Sequence, residues 1–408
     1  MKKRFMRFTA IAVAFSLMLT GCSLTGKKDN SDDHSGTSGK ITDDSSLTAE
    51  ADNAASEASS LDILVAEDLS EPDLEEIPST ESSAPEAEEV PNDIPDEIRE
   101  KFNIDENLVM VFFGDSQIAN GTSDGTDIPS LVAQKVPYSK AYNLAIGGTT
   151  AALEIGSDVT EDYDKWTSNC FLGMVKALEG TADRNRVLEG HPELLNTMNQ
   201  INPSEVDYYF IEYGANDFFN KVPLDIYSTS DESVYETQTY YGALSRGIEK
   251  LQALSPDATI VLISPFYAVY FAGDGSYIGD SYITSNGLAT LQDYAKKMTN
   301  IAEEKGLYIL DTMFRSKFDL YLDTYSQYLM DNLHLSLTGR QIVARFVAHV
   351  PNTMEGYEPM CFRTTDFVII SQFDPDYYYK VDEELFKTDY PDEYQRYLNG
   401  EYLLAQPE

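Results

Sequence analysis

Apolar residues along this chain alternate between short unbroken runs and longer stretches with helical spacing. Val109-Met110-Val111-Phe112-Phe113 is the clearest run, and it leads into Gly114-Asp115-Ser116. A β-branched and aromatic run of that length predicts a strand covered on both faces. Lys140–Leu144, Val206–Glu212, Ala258–Ser264 (closed by Pro265) and Leu307–Asp311 predict four more strands. Between them, Glu236–Leu254 places Leu244, Ile248 and Leu251 on one helical face, and Leu288–Lys305 predicts a helix stopped at Gly306. Thr338–Val350 predicts a last helix, stopped by Pro351. Alternation of this kind predicts an α/β fold, a flavodoxin-like three-layer α/β/α sandwich with a five-stranded parallel sheet. Every strand of such a sheet opens at its C-terminal end onto one edge, where ligands bind.

The beginning of the chain departs from this pattern. Lys2, Lys3, Arg4 and Arg7 precede an apolar stretch, Phe8 to Leu19, that is too short for a comfortable membrane span. Leu19-Thr20-Gly21-Cys22 follows and resembles the lipobox of bacterial lipoproteins, whose cysteine carries the lipid. Residues 1–22 are therefore expected to be a lipoprotein signal peptide, with Cys22 lipidated and the protein anchored on the extracytoplasmic side of the cell membrane. The plainer alternative is a secretory signal with an unrelated cysteine. Residues 23–96 are mostly Ser, Asp, Glu, Ala, Thr and Pro. Such a stretch buries too little apolar surface to offset its ordering entropy, so a disordered acidic, Ser-rich tether is expected.

Much of the net charge of −40 falls in that tether. With no basic cluster to neutralise phosphates, nucleic acid is not an expected partner. Residues 97–351 form the expected catalytic-size domain. Residues 352–408 are an acidic, Tyr-rich extension expected to pack on it, with a strand at Phe367–Ile370 and helices at Asp382–Phe386 and Pro391–Leu403. Cys170 and Cys361 are too few for a disulfide framework, and the sequence leaves open whether they are joined. No CxxC, HExxH or EF-hand loop is present, so neither a metal nor a cofactor is expected. A monomer is expected.

Four short motifs fall where the sheet edge should be. Gly114-Asp115-Ser116 ends the first strand, and Asn143-Leu144-Ala145-Ile146-Gly147-Gly148 follows the second. Tyr213-Gly214-Ala215-Asn216-Asp217 follows the third, and Asp331-Asn332-Leu333-His334 precedes the last helix. Each admits a plainer reading by itself: a helix cap, a glycine turn, an Asx turn, a surface or core histidine. His34, His191 and His349 are given that plainer reading.

In this order the motifs resemble the SGNH, or GDSL-type, hydrolase family, over roughly residues 107–350. The resemblance implies a serine esterase working through an acyl-enzyme. Ser116 would be the nucleophile, His334 its base and Asp331 the residue that orients the imidazole. The oxyanion would be met by the backbone N–H groups of Ser116 and Gly148 and by the side-chain amide of Asn216. Asp115 and Asp217 read as structural, bonding local backbone. Gln117 stands where the family's name-motif has Leu, at a position that does not carry the chemistry.

The expected substrate is a short acyl ester, acetyl foremost, on a small molecule or a glycan. Tyr163, Trp166, Tyr267 and Tyr270 are candidate aromatic contacts, against the plainer reading that most are core or surface residues. Two alternatives stay open on the motifs: an O-acyltransferase acting on a cell-surface glycan, and a non-catalytic glycan-binding lipoprotein.

Overall fold

The computed structural model describes residues 94–102, 104, 107–154, 156–157, 162–225, 237–314, 317–376 and 383–407. The signal peptide, Cys22 and nearly all of the expected tether therefore lie outside the described residues. Five strands form one parallel sheet in the order β2-β1-β3-β4-β7. They are β1 (Leu108–Phe113), β2 (Ser139–Asn143), β3 (Tyr208–Glu212), β4 (Thr259–Ile263) and β7 (Tyr308–Leu310). All five coincide with the runs read from the sequence. Two further strands, β5 (Val269–Phe271) and β6 (Tyr277–Asp280), pair as an antiparallel hairpin that the sequence pattern did not announce. Three- and four-residue strands with a bulge at Tyr270/Phe271 are too short and irregular to show a period of two.

Helices cover both faces. Phe171–Glu179 packs on Tyr240–Leu254, which packs on Leu291–Lys305, while Leu337–Met354 packs on Ile128–Ala133. The result is a three-layer α/β/α sandwich. Its central strands carry the core. Met110 to Phe113 and Tyr208 to Ile211 are fully or almost fully buried, and the Phe112 and Phe210 rings stack at 4.5 Å. Each such buried side chain contributes about 1.5–3 kcal/mol relative to exposure. This sheet centre is therefore the rigid platform on which the loops at its edge are set.

Pro351 does not stop the last helix, which runs from Leu337 to Met354 with Pro351 inside it. A proline forfeits one helical N–H donor and crowds the preceding turn, yet only three helical residues follow it. Those residues have other bonds. The Pro351 carbonyl accepts from the Glu355 N–H at 2.8 Å, and the Asn352 carbonyl accepts from Tyr357 N–H at 2.7 Å. The Asn352 side chain donates to the Lys135 carbonyl at 3.0 Å.

The C-terminal extension differs from its sequence reading in detail. In place of a strand at Phe367–Ile370, Val368 makes one isolated bridge with Phe318, and Ile370–Gln372 forms a 3-10 turn. Helices occupy Met360–Thr365, Glu383–Asp389 and Pro391–Leu398, the last ending before Asn399 and Gly400. Gly400 sits at φ +65°, a left-handed value that ends helices. Cys361, Phe362, Phe386, Tyr394, Tyr402 and Ala405 form a small apolar cluster of their own, whereas Tyr357, Val368 and Ile370 belong to the main core. Cys170 and Cys361 are both free and buried.

Candidate active site

The β1 strand delivers Ser116 to the sheet edge through a tight turn. Asp115 caps the short helix Ser116–Ala119 by accepting from the Gln117 N–H at 2.9 Å. Gly114 is required there by closeness. A Cβ on it would lie 2.5 Å from Ile118 Cγ1 and 3.2 Å from the Glu212 carbonyl oxygen. Any larger residue would push the helix, and Ser116 with it, off the end of the strand.

Asp331 and His334 arrive on one loop ahead of the helix Leu337–Met354, whose N-cap is Ser336. Ser116 Oγ lies 2.9 Å from His334 Nε2, and His334 Nδ1 lies 2.6 Å from Asp331 Oδ2. A carboxylate only accepts, so Nδ1 carries the proton and the neutral ring leaves Nε2 free to accept from the serine hydroxyl. Asp331 Oδ1 also takes the backbone N–H of His334 at 2.7 Å and of Leu333 at 3.2 Å. One carboxylate thus shapes the loop and orients the ring. Partial burial pushes the His334 pKa down, but the Asp331 hydrogen bond and charge, with the charge of Asp115, outweigh it and leave it above the usual 6.5. Asp331 goes the other way: burial raises its pKa, and the His334 bonds lower it to a net value below that of an ordinary aspartate.

The glycine turn after β2 packs against this serine. A Cβ on Gly147 would lie 3.7 Å from Ser116 Cβ, and Gly148 takes φ +79°. Neither the Ser116 nor the Gly148 N–H has an acceptor among the described residues. Asn216 sits where the sequence places it, but both of its amide hydrogens have acceptors. Nδ2 donates to Asp115 Oδ2 and to the Thr149 carbonyl, each at 3.1 Å. The amide therefore serves an oxyanion only by sharing or exchanging one of those bonds.

Asp217 accepts the backbone N–H of Ala151 at 2.9 Å and of Ala152 at 3.1 Å. It fixes the far end of the glycine turn, a reach beyond the local backbone that the sequence had suggested. Burial raises its pKa to about 7, against the pull of those two N–H groups. Sequence reasoning missed Glu212 altogether. It ends β3 fully buried, and neither of its carboxyl oxygens receives a hydrogen bond from a described residue. Burial, and then the neighbouring charge of Asp115, push its pKa well above the carboxylate range. Burial raises Asp115 as well, while the Gln117 N–H and a hydrogen bond from Glu212 lower it. Glu212 and Asp115 thus lie side by side in the buried floor behind Asn216, with the Glu212 carboxyl pushed the further toward its neutral form. An ionisable residue closing an otherwise apolar strand was the signal available in the sequence.

Of the four aromatic candidates, Trp166, Tyr267 and Tyr270 are buried and Tyr163 is exposed. Trp166 Nε1–H is spent on the Ser168 carbonyl at 2.9 Å. Among the described residues no group of three or more His, Cys, Asp or Glu side chains is arranged to hold a metal ion.

The family model for GDSL-like lipases and acylhydrolases matches residues 112–342, more than half of the chain. The chain belongs to that family. Its activity class is accordingly that of a serine ester hydrolase. None of the curated proteins matches the sequence. Solved structures with a similar fold include a possible lipase from Chitinophaga pinensis, 18% identical over 60% of this chain and 97% of that one, at a TM-score of 0.41. A member of the lipolytic G-D-S-L family from Veillonella parvula is 12% identical over 60% of this chain and 97% of that one, at 0.36. An acetyl xylan esterase from Geobacillus stearothermophilus is 18% identical over 59% of this chain and 93% of that one, at 0.34.

Proposed function

We propose that this GDSL-like hydrolase is a lipid-anchored, extracytoplasmic esterase that removes short acyl groups, acetyl foremost, from carbohydrate hydroxyls. The observation that carries the chemistry is the 2.9 Å contact of Ser116 Oγ with His334 Nε2, with Asp331 behind the ring. In the first half-reaction His334 takes the Ser116 proton as Oγ bonds to the acyl carbon. The carbonyl electron pair moves to oxygen, facing the free N–H groups of Ser116 and Gly148. His334 then gives its proton to the departing alcohol as the C–O bond breaks. Water repeats the sequence on the acyl-enzyme and restores Ser116. Asp331 stabilises the imidazolium in both halves and stays ionised throughout.

The sugar ester and the anchor rest on the sequence. The Leu-Thr-Gly-Cys run ending at Cys22 and the acidic tether support a reading in which the enzyme is held outside the membrane, where acylated glycans are met. In the direct test, Ser116→Ala loses hydrolysis of a chromogenic acetate ester, while circular dichroism and Tm stay those of the parent. Hydrolysis retained in that variant would sink the serine assignment. A panel of acetylated sugars, with and without a glycan acceptor, then separates hydrolysis from acyl transfer. For the anchor, Cys22→Ser should release the protein from the membrane fraction and end incorporation of a fatty-acid analogue.

A further inference from the structure

Gln117 is the one departure from the family's name-motif beside the serine, and the structure gives it a task. Its side chain is 2% exposed. Nε2 donates to the Leu333 carbonyl at 2.8 Å, and Oε1 accepts from the Leu335 N–H at 3.1 Å. Leu333 and Leu335 are the neighbours of His334 on either side. The orientation of the carboxamide is fixed by these partners, because a carbonyl only accepts and an N–H only donates. Its two bonds copy those a neighbouring strand would make to the same stretch of backbone.

The loop needs such a hold. Asn332, between Asp331 and Leu333, has φ +72°, in the left-handed region that side-chain-bearing residues seldom occupy. A conformation of that kind persists where the surroundings over-determine it. Other bonds secure the loop as well. Val269 N–H reaches the Asn332 carbonyl at 3.0 Å, Met330 N–H reaches the His334 carbonyl at 2.9 Å, and Arg340 Nη1 reaches the Leu335 carbonyl at 3.0 Å. None of these touches the turn that carries the serine. Among the described residues, hydrogen bonds between the 330–336 loop and the 114–120 turn come from Ser116 and from Gln117.

We infer that Gln117 is a positioning residue. It locks the loop carrying Asp331 and His334 onto the turn carrying Ser116, and so sets the serine-to-imidazole distance. The inference rests on the reading of Ser116 and His334 as nucleophile and base. A Leu or Met at this position leaves the Leu333 carbonyl and the Leu335 N–H buried without these partners, and the loop relaxes to recover others. A shift of about 1 Å in such a pair costs on the order of 10²-fold in rate.

The test uses the full chain and three readouts taken well below Tm. Gln117→Met keeps the volume and removes both bonds. Its kcat on an acetate ester should fall about 10²-fold with KM within about threefold. Labelling of Ser116 by a fluorophosphonate should slow by a similar factor. Gln117→Glu keeps the acceptor for Leu335, opposes the Leu333 carbonyl with negative charge and brings that charge toward His334. The acid limb of its kcat/KM profile should move to higher pH. A folded Gln117→Met with kcat and labelling rate within threefold of the parent overturns the inference, whatever its Tm. Should Gln117→Met not fold, Gln117→Glu decides, and an unmoved pH profile with unchanged kcat overturns the inference. A parent protein that is not labelled, or a Ser116→Ala variant that still hydrolyses, overturns the serine reading and this inference with it.

Discussion

Two of the described histidines lie 2.6 Å from a carboxylate, and they do opposite things. His334 stands between Asp331 and the Ser116 hydroxyl, with a quarter of its side chain exposed. His349 is buried in the helix Leu337–Met354, with Nδ1 at 2.6 Å from Glu358 and Nε2 at 3.1 Å from Asp366. Hydrogen-bond accounting separates them. A ring flanked by a carboxylate and a hydroxyl satisfies both partners in its neutral form. A ring flanked by two carboxylates must carry a proton on each nitrogen. His334 is therefore free to accept a proton, and His349 has none to accept.

Burial sharpens the contrast. It pushes both pKa values down, and in both the carboxylate partners outweigh it, so both lie above the usual 6.5. For His349 the outcome is a buried cation shared with Arg345, which grips Asp366 at 2.7 Å. The Lys317 ammonium is near enough to feel the Asp366 charge, and that of Lys135 the charge of Arg345. This cluster joins the last helix of the sandwich to the start of the C-terminal extension. A histidine beside a carboxylate is thus a base or a clamp according to what its second nitrogen meets.

The two histidines part most visibly when their carboxylate pairs are broken. Asp331→Asn should lower kcat by about 10³–10⁴, as expected when the ring loses its orienting acceptor, and leave Tm within a few degrees. A loss under tenfold would mean that Asp331 does no more than shape the loop. His349→Leu should do the reverse. It leaves the Glu358 and Asp366 carboxylates in place without their shared cation, a change that typically costs about 3–5 kcal/mol of stability. Urea unfolding would register that cost, and kcat at a temperature well below Tm should stay within twofold of the parent. A fall in kcat as large as that of Asp331→Asn would tie the clamp to the chemistry and dissolve the distinction.

The smallest effect is the pH dependence, and it should run in opposite directions at the two sites. Hydrolysis needs neutral His334, so kcat/KM should rise with pH through a pKa above 6.5. Stability from His349 follows the other sign. Its folded pKa lies above the unfolded one, so its contribution is complete below about 6.5 and is lost as pH rises through the folded value. The stability gap between the parent and His349→Leu should narrow across that window. A gap that widens with pH would show that His349 is held neutral.

The sheet and the order of the site motifs were legible in the sequence because each depends on local patterning. Buried parallel strands must be continuously apolar, and β1, β3 and β4 are, apart from Thr259 and Glu212. Asp331 and His334 were legible as a pair because one loop carries both. The readings that changed turned on partners far along the chain. Asp217 reads as bonding local backbone, and its acceptor oxygens also reach Ala151 and Ala152. Gln117 reads as a neutral departure from a motif, and its amide spans the two neighbours of His334. Pro351 reads as a stop, and the surrounding hydrogen bonds carry the helix past it.

By itself, then, the sequence determined which elements form and which chemical groups reach the edge of the sheet. Period and propensity act over a few residues and are written in consecutive positions. The tertiary structure alone decided what each polar group bonds to: that Nε2 of one histidine meets a hydroxyl and that of another a second carboxylate, and that Glu212 is enclosed beside Asp115. Partners 100 or 200 residues apart are chosen by packing, and the cost of burying an unpaired polar group makes that choice binding.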